Sequence, residues 1–243
     1  MGTGEDTSPL FARMMGAIHT KHSLGNLVGF FKLPLILTDT RLYGNAIAQF
    51  WWLTRTLEAR LAATSSDPLV EHAVASIGVG PLAPGYEGDL RQILGPDWRA
   101  AAERCLTPAT RSYAAALERA DATALVGALF ILYGALVIGG GKQTQAKVRR
   151  VFPACDHALF DVAGDMRDAR RRFKNTFTAV GRDHAGTPAV APDRADALVA
   201  HAAHWMRRNN EVVLSVRVLP YWWWKAAALA AAATLVARRL RSS

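Results

Sequence analysis

His19 and His22 lie three residues apart in a segment with helical spacing, an interval that brings both imidazoles to one face. An imidazole there is either a structural group or an axial metal ligand. The second chemically suggestive feature is a run of three glycines, Gly139, Gly140 and Gly141, near the end of the apolar stretch Leu125 to Lys142. A glycine inside a helix costs about 1 kcal/mol relative to alanine. A run of them is tolerated where a helix bends, or where another backbone or a flat ligand comes close. Three readings stay open: a buried core helix with a glycine stop, a membrane span, and a kinked helix lying over a planar cofactor. An axial imidazole on one side and bare backbone on the other is an arrangement suited to haem.

Little else in the chain offers chemistry. Cys105 and Cys155 have no CxxC spacing and no neighbouring ligand cluster, and point to a reducing compartment. Glu58 and Asp89 are isolated carboxylates and read as parts of solvated faces. There is no nucleophile–base pair and no phosphate loop. The net charge of +9 calls for an acidic partner, either nucleic acid, an anionic membrane surface or a carboxylate-bearing ligand. The tryptophans sit in apolar sequence rather than among lysines, which argues against nucleic acid. The opening MGTGEDTSP is polar and acidic, unlike a secretory signal, and Asp6 stands where a myristoylation signal has Ser or Thr.

The elements that must position these residues are helices. Alanine, leucine and arginine abound and β-branched residues are sparse, so the fold class is all-α. Residues 1–8 read as disordered, 9–217 as one helical domain, and 218–243 as a C-terminal membrane anchor. Helical spacing covers Pro9 to Leu24, and Pro34 breaks any helix in Phe30 to Leu37. Asp39 or Thr40 caps a helix over 41–63, strongly apolar on one face. Short helices over 69–77, 88–93 and 98–105 follow, the first two separated by a Gly/Pro-rich loop. Thr107-Pro108 opens a helix to about Arg119. Asp121 or Thr123 caps the glycine-bearing helix, which continues past its glycines to Val151. Asp161 to Gly181 carries a basic face of Arg167, Arg170, Arg171, Arg172 and Lys174. The last domain helix runs from Arg194, capped by Asp193, to about Arg217.

After Pro220 come Tyr221, Trp222, Trp223 and Trp224, then an alanine-rich apolar stretch ending at Arg238, Arg239 and Arg241. The apolar part between Lys225 and Arg238 is short of the ~20 residues a span needs. Counting from Val218, with Lys225 snorkelling, restores that length, and the aromatic cluster suits an interface belt. The tail therefore reads as a transmembrane or interfacial helix in contact with membrane lipid, or else as a helix bound to a partner.

In order and spacing the chain resembles the haem oxygenase family over most of residues 10–217. The carriers are Ile18-His19-Thr20, the apolar helix from Tyr43 to Leu57-Glu58, Asp89-Leu90, Gly95-Pro96 with Trp98, Thr107-Pro108-Ala109 with Tyr113, and YGALVIGG from Tyr133 to Gly140. The segment HTKHSLGNLVGFFKLPLIL is similar to the divergent, fungal-type branch. The resemblance implies a haem oxygenase-like multi-helical bundle with haem as cofactor. It implies His19 as the ligand to the haem iron, with His22 the competing choice of register. Gly139 and Gly140 would be the distal glycines that let haem and dioxygen approach the backbone. Lys174 and Arg13 would pair with haem propionates.

The departures from the pattern are equally specific. Family enzymes carry a distal-helix aspartate that orders water for oxygen activation; Leu136 stands there, and a leucine cannot order water or relay a proton. Thr178 replaces the second basic propionate partner, and Ser23-Leu24 replace a carboxylate after the proximal histidine. The resemblance thus implies one of two functions. One is a membrane-anchored haem oxygenase that opens haem to biliverdin with O2, served by a redox partner. The other is a non-catalytic relative (a pseudoenzyme), acting as a haem carrier or as a subunit of a membrane complex. The expected location is the mitochondrial or endoplasmic reticulum membrane, with no nucleic acid partner.

Overall fold

A computed structural model describes residues 9–139, 141–178 and 192–219. The N-terminal residues 1–8, Gly140, and the tail from Pro220 onward lie outside the described residues, as do the side chains of 20–30, His22 among them. The described residues form α-helices and one short 3-10 turn, with no strand among them. The helices are α1 (Leu10–Ile36), α2 (Thr40–Ala63), α3 (Pro68–Ser76), α4 (Ala83–Leu94), α5 (Trp98–Cys105), α6 (Pro108–Glu118), α7 (Ala122–Val137), α8 (Gly141–Val151), α9 (Met166–Thr176) and α10 (Pro192–Ser215).

Most starts follow from local chemistry. The carboxylates of Asp39, Asp67, Asp121 and Asp165, and the Thr107 hydroxyl, accept from free N–H groups at the starts of α2, α3, α7, α9 and α6. The start of α4 has no local side-chain cap. Glu58 supplies one from α2, accepting from Leu82 N–H at 2.6 Å and Ala83 N–H at 3.3 Å. That tertiary cap lets α4 begin five residues before the sequence suggests, inside a stretch that reads as loop.

Two larger differences concern α1 and α7. Helix α1 does not stop at Leu24 and is not broken by Pro34, which sits inside its last turn. A proline this near a helix end removes only one late hydrogen bond. The far end of α1 is also tied down: Lys32 Nζ donates to the carbonyls of Val213 and Val216 at 3.0 and 2.8 Å, at the C-terminus of α10. A cation there also meets the negative end of the helix dipole. The glycine-bearing helix, by contrast, does not run on to Val151. It ends at Val137 and restarts as α8, bent by 53°.

Helix α7 is the centre of the bundle. Every residue from Thr123 to Tyr133 is buried, as expected of a helix apolar on all sides. It packs on α10, which in turn carries α1 on another face. The α7–α10 contact is close: a Cβ on Gly127 would lie 2.7 Å from His201 Cβ. Trp205 of α10 donates its indole N–H to Ala124 O at 2.7 Å and stacks on Tyr113, ring centres 5.0 Å apart. Among the described residues no single helix is long and apolar enough to cross a membrane; α7 and α8 reach that length only as a bent pair. The burial of α7 accounts for its apolar run without a bilayer.

Candidate functional site

The buried surface of α7 opens at one place. Gly134 is half-buried, Ala135 is exposed, and Ile138 and Gly139 are half-buried. Ala135 and Gly139, four residues apart, share one face of the helix end, so the strip open to solvent there is one methyl group and bare backbone, with Ile138 beside it. The bend that follows is closed by Ile138 N–H and Gly139 N–H, both donating to Gly134 O at 2.9 Å. Its glycines are sterically required. A Cβ on Gly139 would lie 2.5 Å from Ala135 O, and one on Gly141 2.7 Å from Leu136 O. Arg170 of α9 donates its Nε–H to Val137 O at 3.0 Å, placing a cation at the C-terminus of α7.

The α8 side of the bend is fixed by a polar group. Lys142 and Gln145 both donate to Asp161 Oδ1, at 2.7 and 2.9 Å. Gln145 also donates to His157 O at 3.3 Å.

Helix α1 reaches the same corner through its first turns. Phe11 packs edge-on against Phe130 of α7 at 5.9 Å, and Phe173 of α9 lies beside Phe130 at 5.6 Å. Phe173 also backs Gly134, since a Cβ there would meet its ring 3.3 Å away. Lys174 Nζ stands 5.8 Å over the Phe11 ring. Arg13 forms an ion pair with Asp196 on α10.

Of the expected propionate partners, Lys174 therefore stands over Phe11, while Arg13 is directed to α10. Arg13 is already engaged and would exchange Asp196 for another anion. His19 lies on an exposed part of α1, one residue past buried Ile18, in the row Leu10, Met14, Ile18. Gly139 lies on the open strip. Leu136 is only 9% exposed and belongs to the core. Neither Asp nor Glu occurs in α7.

The open strip suits a flat ligand such as haem. A ring can rest where almost no side chains stand, the first turn of α1 meets the same corner at Phe11, and a lysine ammonium marks one edge; His19 lies about 12 Å further along α1. These positions do not supply a carboxylate on the strip for proton delivery.

Three groups emerge that sequence reasoning missed. Glu58 is not on a solvated face: besides capping α4, it accepts from Tyr133 Oη–H at 2.9 Å. Burial, then the Glu58 charge, push the Tyr133 phenol upward. Asp89 is fully buried, with Ala158 N–H and Leu159 N–H donating to its two oxygens at 2.7 and 3.0 Å. Cys155, expected to lack ligating neighbours, lies with Asp89 and His157. Only the Cys-x-His spacing at 155–157 is local; Asp89 joins it through the fold. A further cavity of about 430 Å³ opens between α2, α3 and α7, lined by Glu58, Leu61, Val70, Val74, Leu129 and Tyr133.

Solved structures with this architecture are haem oxygenases. Heme oxygenase 2 of Chlamydomonas reinhardtii, crystallised without heme, superposes with a TM-score of 0.74 at 23% identity, covering 87% of this chain and 99% of that one. Heme oxygenase-1 of the cyanobacterium Synechocystis, in complex with heme, gives 0.71 at 16% identity, covering 96% and 99%. Heme oxygenase-2 of Synechocystis, with heme and NO, gives 0.70 at 16%, covering 86% and 85%. No family model and no curated protein matches the sequence. The fold is haem oxygenase-like.

Proposed function

We propose that the protein binds haem between α1 and the open strip of α7. The supporting observation is that strip: the central helix is buried from Thr123 to Tyr133, and its C-terminal end beside the bend opens at Ala135 and Gly139. In this reading His19, or His22 in the alternative register, ligates the iron from α1. Lys174 pairs with a propionate, and Arg13 does so after releasing Asp196. Haem, when bound, would supply a redox-active iron and an oxidisable ring. The chain's own part is to hold the ring, orient it against the bend and exclude water through the apolar corner of Phe11, Phe130 and Phe173.

Retention of haem without ring opening is the reading the site favours, because Leu136 faces the core and α7 offers no group to hold a proton beside the ring. The second reading, ring opening with O2 and an external reductant, has the unobstructed strip in its favour. It requires water to be ordered by a group outside α7. Whichever holds, the tail 218–243 is proposed to attach the domain to a membrane, mitochondrial or endoplasmic, where complex subunits or a redox partner would meet it.

The test is steric. Ala135→Trp places an indole on the open strip at an exposed position and should leave the fold intact by circular dichroism. Haem titration of this variant should show at least a ~10-fold loss of affinity, each tenfold being 1.4 kcal/mol. Unchanged haem affinity in folded Ala135→Trp would place haem elsewhere. With haem bound to the wild type, ascorbate under air separates the two readings: intact haem supports retention, and biliverdin supports ring opening.

A further inference from the structure

A second cluster of ligating groups plays no part in the haem reading. Asp89 of α4, and Cys155 and His157 in the connection after α8, each offer a donor atom, all within 4.8 Å of one another. All three residues are buried. We propose that Asp89, Cys155 and His157 form a binding site for a divalent transition metal of the zinc class.

The donor set is the first argument. Thiolate sulfur, imidazole nitrogen and carboxylate oxygen together suit zinc, or cobalt in its place, and do not suit magnesium or calcium. Charge is the second. A thiolate, a carboxylate and a neutral imidazole sum to −2, which a divalent cation cancels. A neutral centre is the form that a buried site tolerates.

Orientation is the third argument. His157 Nε2 stands 2.9 Å from Phe152 O, which can only accept. A proton is therefore on Nε2, and in the neutral ring Nδ1 is the nitrogen with the lone pair. A ring N–H fixed on a main-chain carbonyl is the usual outer support of a metal-binding histidine. Nδ1 has Tyr43 Oη within hydrogen-bond reach at 3.3 Å, a contact that a metal on Nδ1 would displace. Two backbone N–H groups hold the Asp89 carboxylate in place. His157 is also the one non-glycine residue with positive φ, 55°, among those described. Such a backbone is unfavourable for a residue with a side chain and persists where its surroundings demand it. Gly85 lets α4 approach this segment: a Cβ there would lie 3.0 Å from Ala158 O.

Zinc bond lengths of about 2.3 Å to sulfur and 2.0–2.1 Å to nitrogen place tetrahedral S and N donors about 3.6 Å apart. Side-chain rotations of the order of 1 Å close the cluster to that size. The binding step is M2+ plus Cys155 thiol giving the metal thiolate and a proton released to solvent, with no change of oxidation state. The competing account is a hydrogen-bonded cluster that only ties the 155–159 segment to α4.

The experiment uses the full chain in detergent, stripped with chelator, free of haem, and titrated with Co2+. One cobalt per chain, with a thiolate-to-cobalt charge-transfer band that Zn2+ abolishes, is the expected result. Cys105→Ser should keep the band and Cys155→Ser should remove it. His157→Asn, which tolerates the left-handed backbone, should weaken binding by at least about tenfold. No such band in wild-type protein of unchanged helical content, or a band that survives Cys155→Ser, overturns the proposal. Because the wild-type measurement decides by itself, a variant that fails to fold does not rescue it.

Discussion

Replacing glycines one at a time gives opposite signs for a bent and a straight helix, which makes the α7–α8 bend directly testable. In a continuous helix, Gly139→Ala would add about 1 kcal/mol of stability, the ordinary helix-propensity difference. In the bent structure the new Cβ would lie 2.5 Å from Ala135 O, 3.2 Å from Ala135 C and 3.4 Å from Ala135 Cα. The first distance is roughly 1 Å inside normal contact between carbon and a non-bonded atom. The neighbour is main chain, held by the two N–H groups that converge on Gly134 O, so no side chain can swing away. Overpacking of this kind costs about 1–3 kcal/mol, partly offset by the entropy of replacing glycine. The net loss is about 1–2 kcal/mol, or roughly 2–8 °C in Tm for a chain of this size. Gly141→Ala should behave alike, its Cβ lying 2.7 Å from Leu136 O. Gly16→Ala on α1, with nothing within 4 Å, is the internal control and should gain about 0.5–1 kcal/mol. Calorimetric or urea unfolding of the three variants decides. A Gly139→Ala protein as stable as Gly16→Ala would refute the bend.

Two further predictions probe the bundle. The Asp67 carboxyl receives both guanidinium nitrogens of Arg194 at 2.9 Å, and this bonding holds it below the usual carboxylate range. A depressed carboxyl stabilises the fold above the unfolded value near ~3.9 and loses that contribution as pH falls through its folded value. With Arg194 37% exposed, solvent screening limits the gain. Asp67→Asn, which keeps the α3 cap, should therefore cost about 1 kcal/mol at pH 7, the difference shrinking below pH ~4 in pH-dependent urea melts. Trp205→Phe removes the N–H bond to Ala124 O and shrinks the stack on Tyr113. It should cost about 1–3 kcal/mol by urea unfolding, and a loss below ~0.5 would mean the α7–α10 contact is looser than described.

How far the chain could be read from its residues depended on whether a signal was local. The all-α class and most helix starts were legible, because Asp39, Asp121 and Thr107-Pro108 carry their capping chemistry beside the helix they open. The haem oxygenase-like architecture was legible from the order of short segments. The length of α1 was not, because Lys32 stabilises its far end by reaching the carbonyls of α10. Nor was the early start of α4, whose cap is Glu58 from another helix. The bend was suggested by the glycines, but whether the helix ran on through them depended on how closely Ala135 O and Leu136 O approach. Near the candidate site, a kink at the glycine run was read from the sequence, while the exposure of Ala135 emerged only from the burial pattern. Asp89 read as a solvated carboxylate because its partners, Ala158 and Leu159, are some seventy positions away.

The central claim is that haem lies against α7 with an imidazole of α1 on its iron. Its most direct test is haem titration of the full chain in detergent, wild type beside His19→Ala and His22→Ala, followed by Soret absorption and by the iron–histidine stretch of the reduced complex. The account predicts a shifted Soret band and a histidine-ligated iron in the wild type, with that ligation lost in one of the two variants, His19→Ala being the expected one. No Soret shift in the wild type, or an iron–histidine signal unchanged in both variants, would contradict it.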